Sequence, residues 1–206
     1  HMYSVGEHTI RTLMNVRADK VLRLTMLLHD VAKPVCITTD EEGQDHFKKH
    51  PAVGADMTKQ ILRRLKFDNK TIDCCCRLVK EHDDRPQITP KNVRRAMSRI
   101  GAGLFPMLFE VKRADMLGQS LYKRKEKMAY IDEFERVYNE ILSDDQCVSK
   151  KDMKINGRDL IDLGMEPGQK LGEILDKLYE MVLDDPELND HEKLIEHANK
   201  IISTLI

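Results

Sequence analysis

The 206-residue chain has no tryptophan and only ten aromatic residues, five Tyr and five Phe, which argues against recognition of single-stranded nucleic acid by base stacking. No apolar run reaches the roughly 18 residues a membrane span needs, and no basic-then-apolar leader is present, so the expected partners include no membrane and the expected compartment is the cytoplasm. Cysteine is sparse: three of the five are consecutive (Cys74, Cys75, Cys76) and none forms a C-x-x-C pair. That pattern reads as reduced thiols in a packed interior rather than a disulfide framework. Fixed-period repeats and low-complexity tracts are missing as well. His1 and Met2 receive no role, and the oligomeric state is not legible.

Net charge is also nearly absent, at -1, but its distribution is uneven. Up to residue 127 there are 25 basic and 16 acidic residues; from 128 onward there are 9 and 19. The basic part suits a phosphate-bearing ligand. With 41% hydrophobic residues the chain can bury a core, as one medium domain with an appendage or as two small domains.

Apolar spacing near 3.6 residues predicts a mainly helical, all-α protein. Helices are expected over 21–29 (ended by Lys33-Pro34), from His50-Pro51 to near Phe67, and over 71–82, 91–100, 104–117, 122–142, 158–163, 169–183 and 191–206. Between Val35 and Phe47 the alternation around Glu41-Glu42-Gly43 predicts a short hairpin or ordered loop. The glycines from Gly164 to Gly172 read as helix ends, and His191 and His197 as surface residues.

Several of these segments aim polar groups inward. His29 continues the apolar face of Leu22 and Thr25, His82 that of Ile72, Cys75 and Val79, and Asp115 that of Leu108 and Val111; Asp30, His50 and His8 accompany them. Each unsatisfied buried polar group would cost about 1–3 kcal/mol, against a domain stability of about 5–15 kcal/mol. A divalent cation reconciles them, because it accepts imidazole nitrogens and carboxylate oxygens and cancels charge. Three or more imidazoles favour Mn, Fe, Co, Ni or Zn.

Glu7-His8-Thr9, Leu28-His29-Asp30-Val31-Ala32-Lys33 and Arg113-Ala114-Asp115, with the spaced His50 and His82, resemble the HD metal-dependent phosphohydrolase superfamily. Gly43-Gln44-Asp45-His46-Phe47-Lys48-Lys49-His50, Val53-Gly54-Ala55 and Ile61–Phe67 are similar to the HD region of bacterial tRNA nucleotidyltransferases, the CCA-adding enzyme and poly(A) polymerase family. Ile155-Asn156-Gly157-Arg158-Asp159-Leu160, Gly164, Pro167-Gly168 and Leu171-Gly172 resemble that family's C-terminal helical region. The resemblance implies an HD-domain helical bundle over 1–122 and a C-terminal helical region over 123–206. Nothing matches the family's nucleotidyltransferase head, so nucleotide addition is not expected from this chain alone.

The resemblance further implies a primary metal held by His8, His29, Asp30 and Asp115. His50 and His82 match positions that either build a second metal site or contact the substrate phosphate, so one or two ions are expected. Such a centre implies hydrolysis of a phosphodiester or phosphomonoester of a nucleotide or RNA end, with a 2′,3′-cyclic phosphate among the candidates. Asp30 is then catalytic as well as ligating. Lys33 is placed to neutralise phosphoryl charge, and His46 to protonate the leaving oxygen. The alternative is a non-catalytic tRNA-binding scaffold, gripping the backbone through Arg63, Arg64, Arg94, Arg95, Arg99 and the lysines from Lys123 to Lys127.

Overall fold

The computed structural model describes residues 3–204; His1 and Met2, and the last two residues of the helix expected over 191–206, lie outside them. The fold is all-α. Its helices are α1 (Val5–Leu13), α2 (Lys20–Leu28), α3 (Lys33–Cys36), α4 (His50–Arg64), α5 (Asn69–Glu81), α6 (Pro90–Ile100), α7 (Phe105–Gly118), α8 (Arg124–Ser143), α9 (Gly157–Asp162), α10 (Gln169–Asp184) and α11 (His191–Ser203). One hairpin interrupts them, with β1 (Thr38–Thr39) and β2 (Asp45–His46) antiparallel and Thr38 opposite His46. Among the described residues no helix is long and apolar enough to cross a membrane.

Most helix starts follow from capping side chains. Ser4 and Glu7 form a reciprocal capping box at α1, while Asp19, Asp68 and Thr89 each accept a backbone N–H at the starts of α2, α5 and α6. The expectation that Lys33-Pro34 closes a helix is corrected. Helix α2 already ends at Leu28, and Pro34 sits in the first turn of α3, where its missing N–H costs nothing.

The chain divides into two compact units. The first takes the chain as far as Pro86 together with Gly103–Glu135; the second takes Gln87–Ala102 and the chain from Arg136 onward. This differs from a single cut after residue 122, because α6 groups with the C-terminal helices. In the first unit Leu28, Leu62, Ile72, Cys75 and Val79 form one apolar cluster, and the rings of Phe105, Phe109 and Phe134 meet edge to face at 5.5–5.6 Å. Cys75 is buried and Cys74 and Cys76 half-buried, so the triplet packs as expected. The core of the second unit is built on Leu160, Ile174, Leu178, Val182 and Leu194.

Arg94 departs from its expected role as a phosphate contact. Only 4% exposed, its guanidinium donates to the Leu183 and Asp184 carbonyls and to Gln146 Oε1, closing the end of α10 within the second unit. Its neighbour Arg95 is paired with Asp184 and Glu180. Arg63 and Arg64, by contrast, are exposed.

Candidate metal centre

Helix ends in the first unit assemble the site. His8 lies in the second turn of α1, His29 caps the end of α2 with Asp30 in the turn that follows, His50 opens α4, His82 caps the end of α5, and Asp115 stands in the last turn of α7. All six are buried, His29 completely. The structure thus brings together every residue expected to hold metal.

Three of the imidazoles are oriented by the same local device. Nδ1 of His29, His50 and His82 donates to the carbonyl three residues earlier, on Met26, Phe47 and Val79, at 2.8, 2.8 and 2.6 Å. A carbonyl only accepts, so the proton of each neutral ring resides on Nδ1 and the Nε2 lone pair is left to point inward. There Nε2 of His8 faces Nε2 of His29 at 3.1 Å, and Nε2 of His50 faces Nε2 of His82 at 3.3 Å.

Asp30 stands between the two pairs and divides its oxygens. Oδ2 lies 3.5 Å from His8 Nε2 and 3.3 Å from His29 Nε2, whereas Oδ1 lies 3.5 Å from His50 Nε2 and 3.7 Å from His82 Nε2. Oδ1 is buried without a hydrogen-bond partner. Asp115 joins the first half, with Oδ1 at 2.9 Å from His8 Nε2 and 3.6 Å from His29 Nε2. Two donor sets result, His8–His29–Asp30 and Asp30–His50–His82. The lone pairs of His50 and His82 facing one another beside an orphaned carboxylate oxygen, with His8, His29 and Asp115 on its other side, are what a cation would satisfy, so these residues fit one or two divalent transition metals.

Electrostatics without a cation show the same demand. Burial disfavours a charged His29, but hydrogen bonds to Asp115 and Asp30 outweigh it and raise its pKa to about 9. Burial likewise opposes ionisation of Asp30, yet the imidazoles of His29, His50 and His82 hold its carboxyl far below the usual range. Asp115 is depressed in the same way, its burial overcome by His29 and His8.

Lys33 donates to Asp30 Oδ2 at 2.7 Å. His46, on β2, is held by Asp40 Oδ2 at 2.7 Å. Both line a cavity of about 720 Å³ that opens onto His8, Asp30, His50 and Asp115.

Three supporting residues escaped sequence reasoning. Buried Lys112 donates to the carbonyls of Glu81, His82 and Asp84 at 3.1, 3.0 and 2.6 Å, fixing the chain around His82, and burial pushes its pKa down to about 8. Its signal was present: Lys112 shares the inward stripe of Leu108 and Asp115. Gln119 donates to Asp115 Oδ2 at 2.9 Å, which leaves Oδ1 for His8, and Lys127 in turn donates to Gln119 Oε1 at 2.7 Å. Gly118 lets α1 approach α7, because a Cβ there would stand 2.5 Å from Thr12 Cγ2 and 3.2 Å from His8 Nδ1.

The family model for tRNA nucleotidyltransferase domain 2 matches residues 52–198. The chain belongs to that family. It is 31% identical over 189 residues to an A-adding tRNA nucleotidyltransferase of Deinococcus radiodurans, covering 87% of this chain and 43% of that protein. A CC-adding tRNA nucleotidyltransferase of Thermus thermophilus is 28% identical over 186 residues, covering 87% and 41% respectively. A CCA-adding enzyme of Ligilactobacillus salivarius is 47% identical over 55 residues, 26% of this chain and 14% of that protein. This tRNA nucleotidyltransferase-family chain therefore spans less than half the length of the curated relatives it matches. No solved structure matches it.

Proposed function

We propose that the first unit is an HD-type metal-dependent phosphohydrolase acting on a phosphodiester or phosphomonoester of a nucleotide or RNA end, with a 2′,3′-cyclic phosphate as a candidate substrate. The observation that carries this reading is the Asp30 carboxylate shared between two pairs of inward-pointing imidazoles at the floor of an open cavity. In it, His8, His29, Asp30 and Asp115 hold the primary cation, and His50 and His82, with the other oxygen of Asp30, hold a second or contact the phosphate. When bound, divalent metal there supplies Lewis acidity and a water acidic enough to attack near neutral pH.

The protein's own groups do the rest. Lys33, beside Asp30 Oδ2, binds a non-bridging phosphoryl oxygen and offsets the charge that develops on it. His46, its ring oriented by Asp40, delivers a proton to the leaving oxygen from the cavity rim. Lys112 and Gln119 keep His82 and Asp115 in place. The relatives' names concern tRNA, which favours a nucleotide or an RNA end as substrate; the proposed compartment is the cytoplasm.

The same relationship favours a second reading, in which the cluster is a scaffold and the chain only holds tRNA through exposed cations such as Arg63 and Arg64. Hydrolysis of 2′,3′-cyclic AMP, titrated with Mn²⁺, Co²⁺ and Ni²⁺, separates the two. Metal-dependent turnover lost in Asp30→Ala supports the hydrolase. Bound metal without turnover, together with salt-sensitive tRNA binding that survives Asp30→Ala, supports the scaffold.

A further inference from the structure

A second cavity, of about 320 Å³, lies in the same unit and shares His82, Asp115 and Lys127 with the larger one. Its lining is of a different kind. Met116 and Ile131 are almost completely buried core residues whose surfaces close one part of it, and Tyr130 stands beside them. Tyr130 is held at both ends: its hydroxyl donates to the Pro86 carbonyl at 2.7 Å, and its ring meets Phe134 edge to face at 6.2 Å. Phe134 in turn belongs to the packed trio with Phe105 and Phe109. The aromatic surface is therefore pre-positioned and loses little freedom when something settles on it.

Around this apolar part stand cations. Arg85, Lys123 and Lys127 line the cavity, with Glu126 as the one acidic group besides Asp115. Lys112 also lines it, but its ammonium is spent on three carbonyls. Lys123 adopts a left-handed backbone, φ 51°, which a lysine takes at a cost. A ligand suited to the whole must carry a flat apolar body and negative charge, and must present a phosphate to the His/Asp cluster at the shared wall. The volume is at the small end of sites for small molecules, about 300–1,000 Å³, and suits one base with its sugar.

We infer that this side cavity is a nucleoside subsite, with the base lying against Tyr130, Met116 and Ile131 while Arg85 and Lys123 draw the anionic nucleotide in and its phosphate reaches the cluster past His82 and Asp115. This rests on the phosphohydrolase reading for its orientation, and it adds the specificity determinant: the substrate is selected by its base, not by the phosphate alone.

Calorimetric binding of AMP and of ribose 5-phosphate to the Mn²⁺-loaded full chain tests it independently of turnover. The expected result is at least tenfold tighter binding of AMP. Tyr130→Leu removes that preference and leaves ribose 5-phosphate unchanged, whereas Tyr130→Phe, which keeps the ring, retains it. A thermal melt verifies that each variant is folded. Should Tyr130→Leu fail to fold, the milder Met116→Ala takes its place, and a severalfold loss of AMP affinity with ribose 5-phosphate binding unchanged is expected. Equal affinity of the wild type for the two ligands overturns the subsite whatever the variants do. Base-selective binding without hydrolysis of any nucleotide leaves the subsite standing and overturns the phosphohydrolase instead.

Discussion

His50 and His82 face each other through Nε2 at 3.3 Å, and each has its Nδ1 proton committed to a carbonyl of its own chain. Neither ring can donate to the other in its neutral form, so a shared cation would satisfy both lone pairs. If two ions bind, removal of His82 (His82→Ala) should lower bound divalent metal to one in equilibrium dialysis, whereas Asp30→Asn, which weakens both halves, should lower it towards none. Metal at 100 times its Kd should raise stability by about 2.7 kcal/mol. A chelator should reverse that gain in a urea titration.

The metal-free protein should depend on pH in a defined direction. His29 has a folded pKa of about 9, above the roughly 6.5 of a free imidazole. Its contribution is complete below pH 6.5 and is lost as pH rises through 9, an effect of order 3 kcal/mol. Thermal melts of apo protein should fall across that window, and added Mn²⁺ should remove most of the fall. A flat apo profile between pH 6.5 and 9 would sink this account.

Gly118→Ala should act on the centre without replacing any ligand. The new methyl would press on Thr12 Cγ2 and His8 Nδ1, moving His8 out of the first donor set. Affinity for the first metal should drop tenfold or more while the second is retained, which calorimetry can resolve as two separate sites.

Lys33→Ala and His46→Ala should each reduce kcat by about 10²-fold or more if they serve the phosphoryl group and the leaving oxygen. Both variants should keep full metal occupancy. Unchanged turnover in either, alongside an inactive Asp30→Ala, removes that residue from the chemistry.

In the second unit, Arg94→Ala should cost about 2–4 kcal/mol in urea denaturation, because the Leu183 and Asp184 carbonyls lose their shared donor. Arg94→Lys should rescue little, since an ammonium cannot span the fork.

The inward aim of His29, His82 and Asp115 was legible because helical periodicity fixes facing, and α2, α5 and α7 are regular enough to obey it. Arg94 was misread for a related reason: periodicity does not say whether a cation on a helix meets solvent or the open end of another helix 90 residues away. The grouping of α6 with the C-terminal helices was hidden likewise, since the inward face of Val93, Ala96 and Met97 would look identical against any partner. Gly118 depends on the close approach of α1 and α7, a contact between segments a hundred residues apart. No local pattern encodes such a contact.

The ligand-bearing positions, 8, 29, 30, 50, 82 and 115, are spread along more than half the chain, with roughly 20 to 33 residues between successive segments. In a protein whose described cysteines are all free, a cation seated there would be the sole cross-link, closing several loops at once. A covalent bridge over a loop of about 15 residues removes about 3 kcal/mol of unfolded-state freedom, and longer loops somewhat more. The centre would then govern the order of assembly as well as the chemistry: ion uptake should speed refolding of the first unit, and slow its unfolding, independently of any phosphate ester.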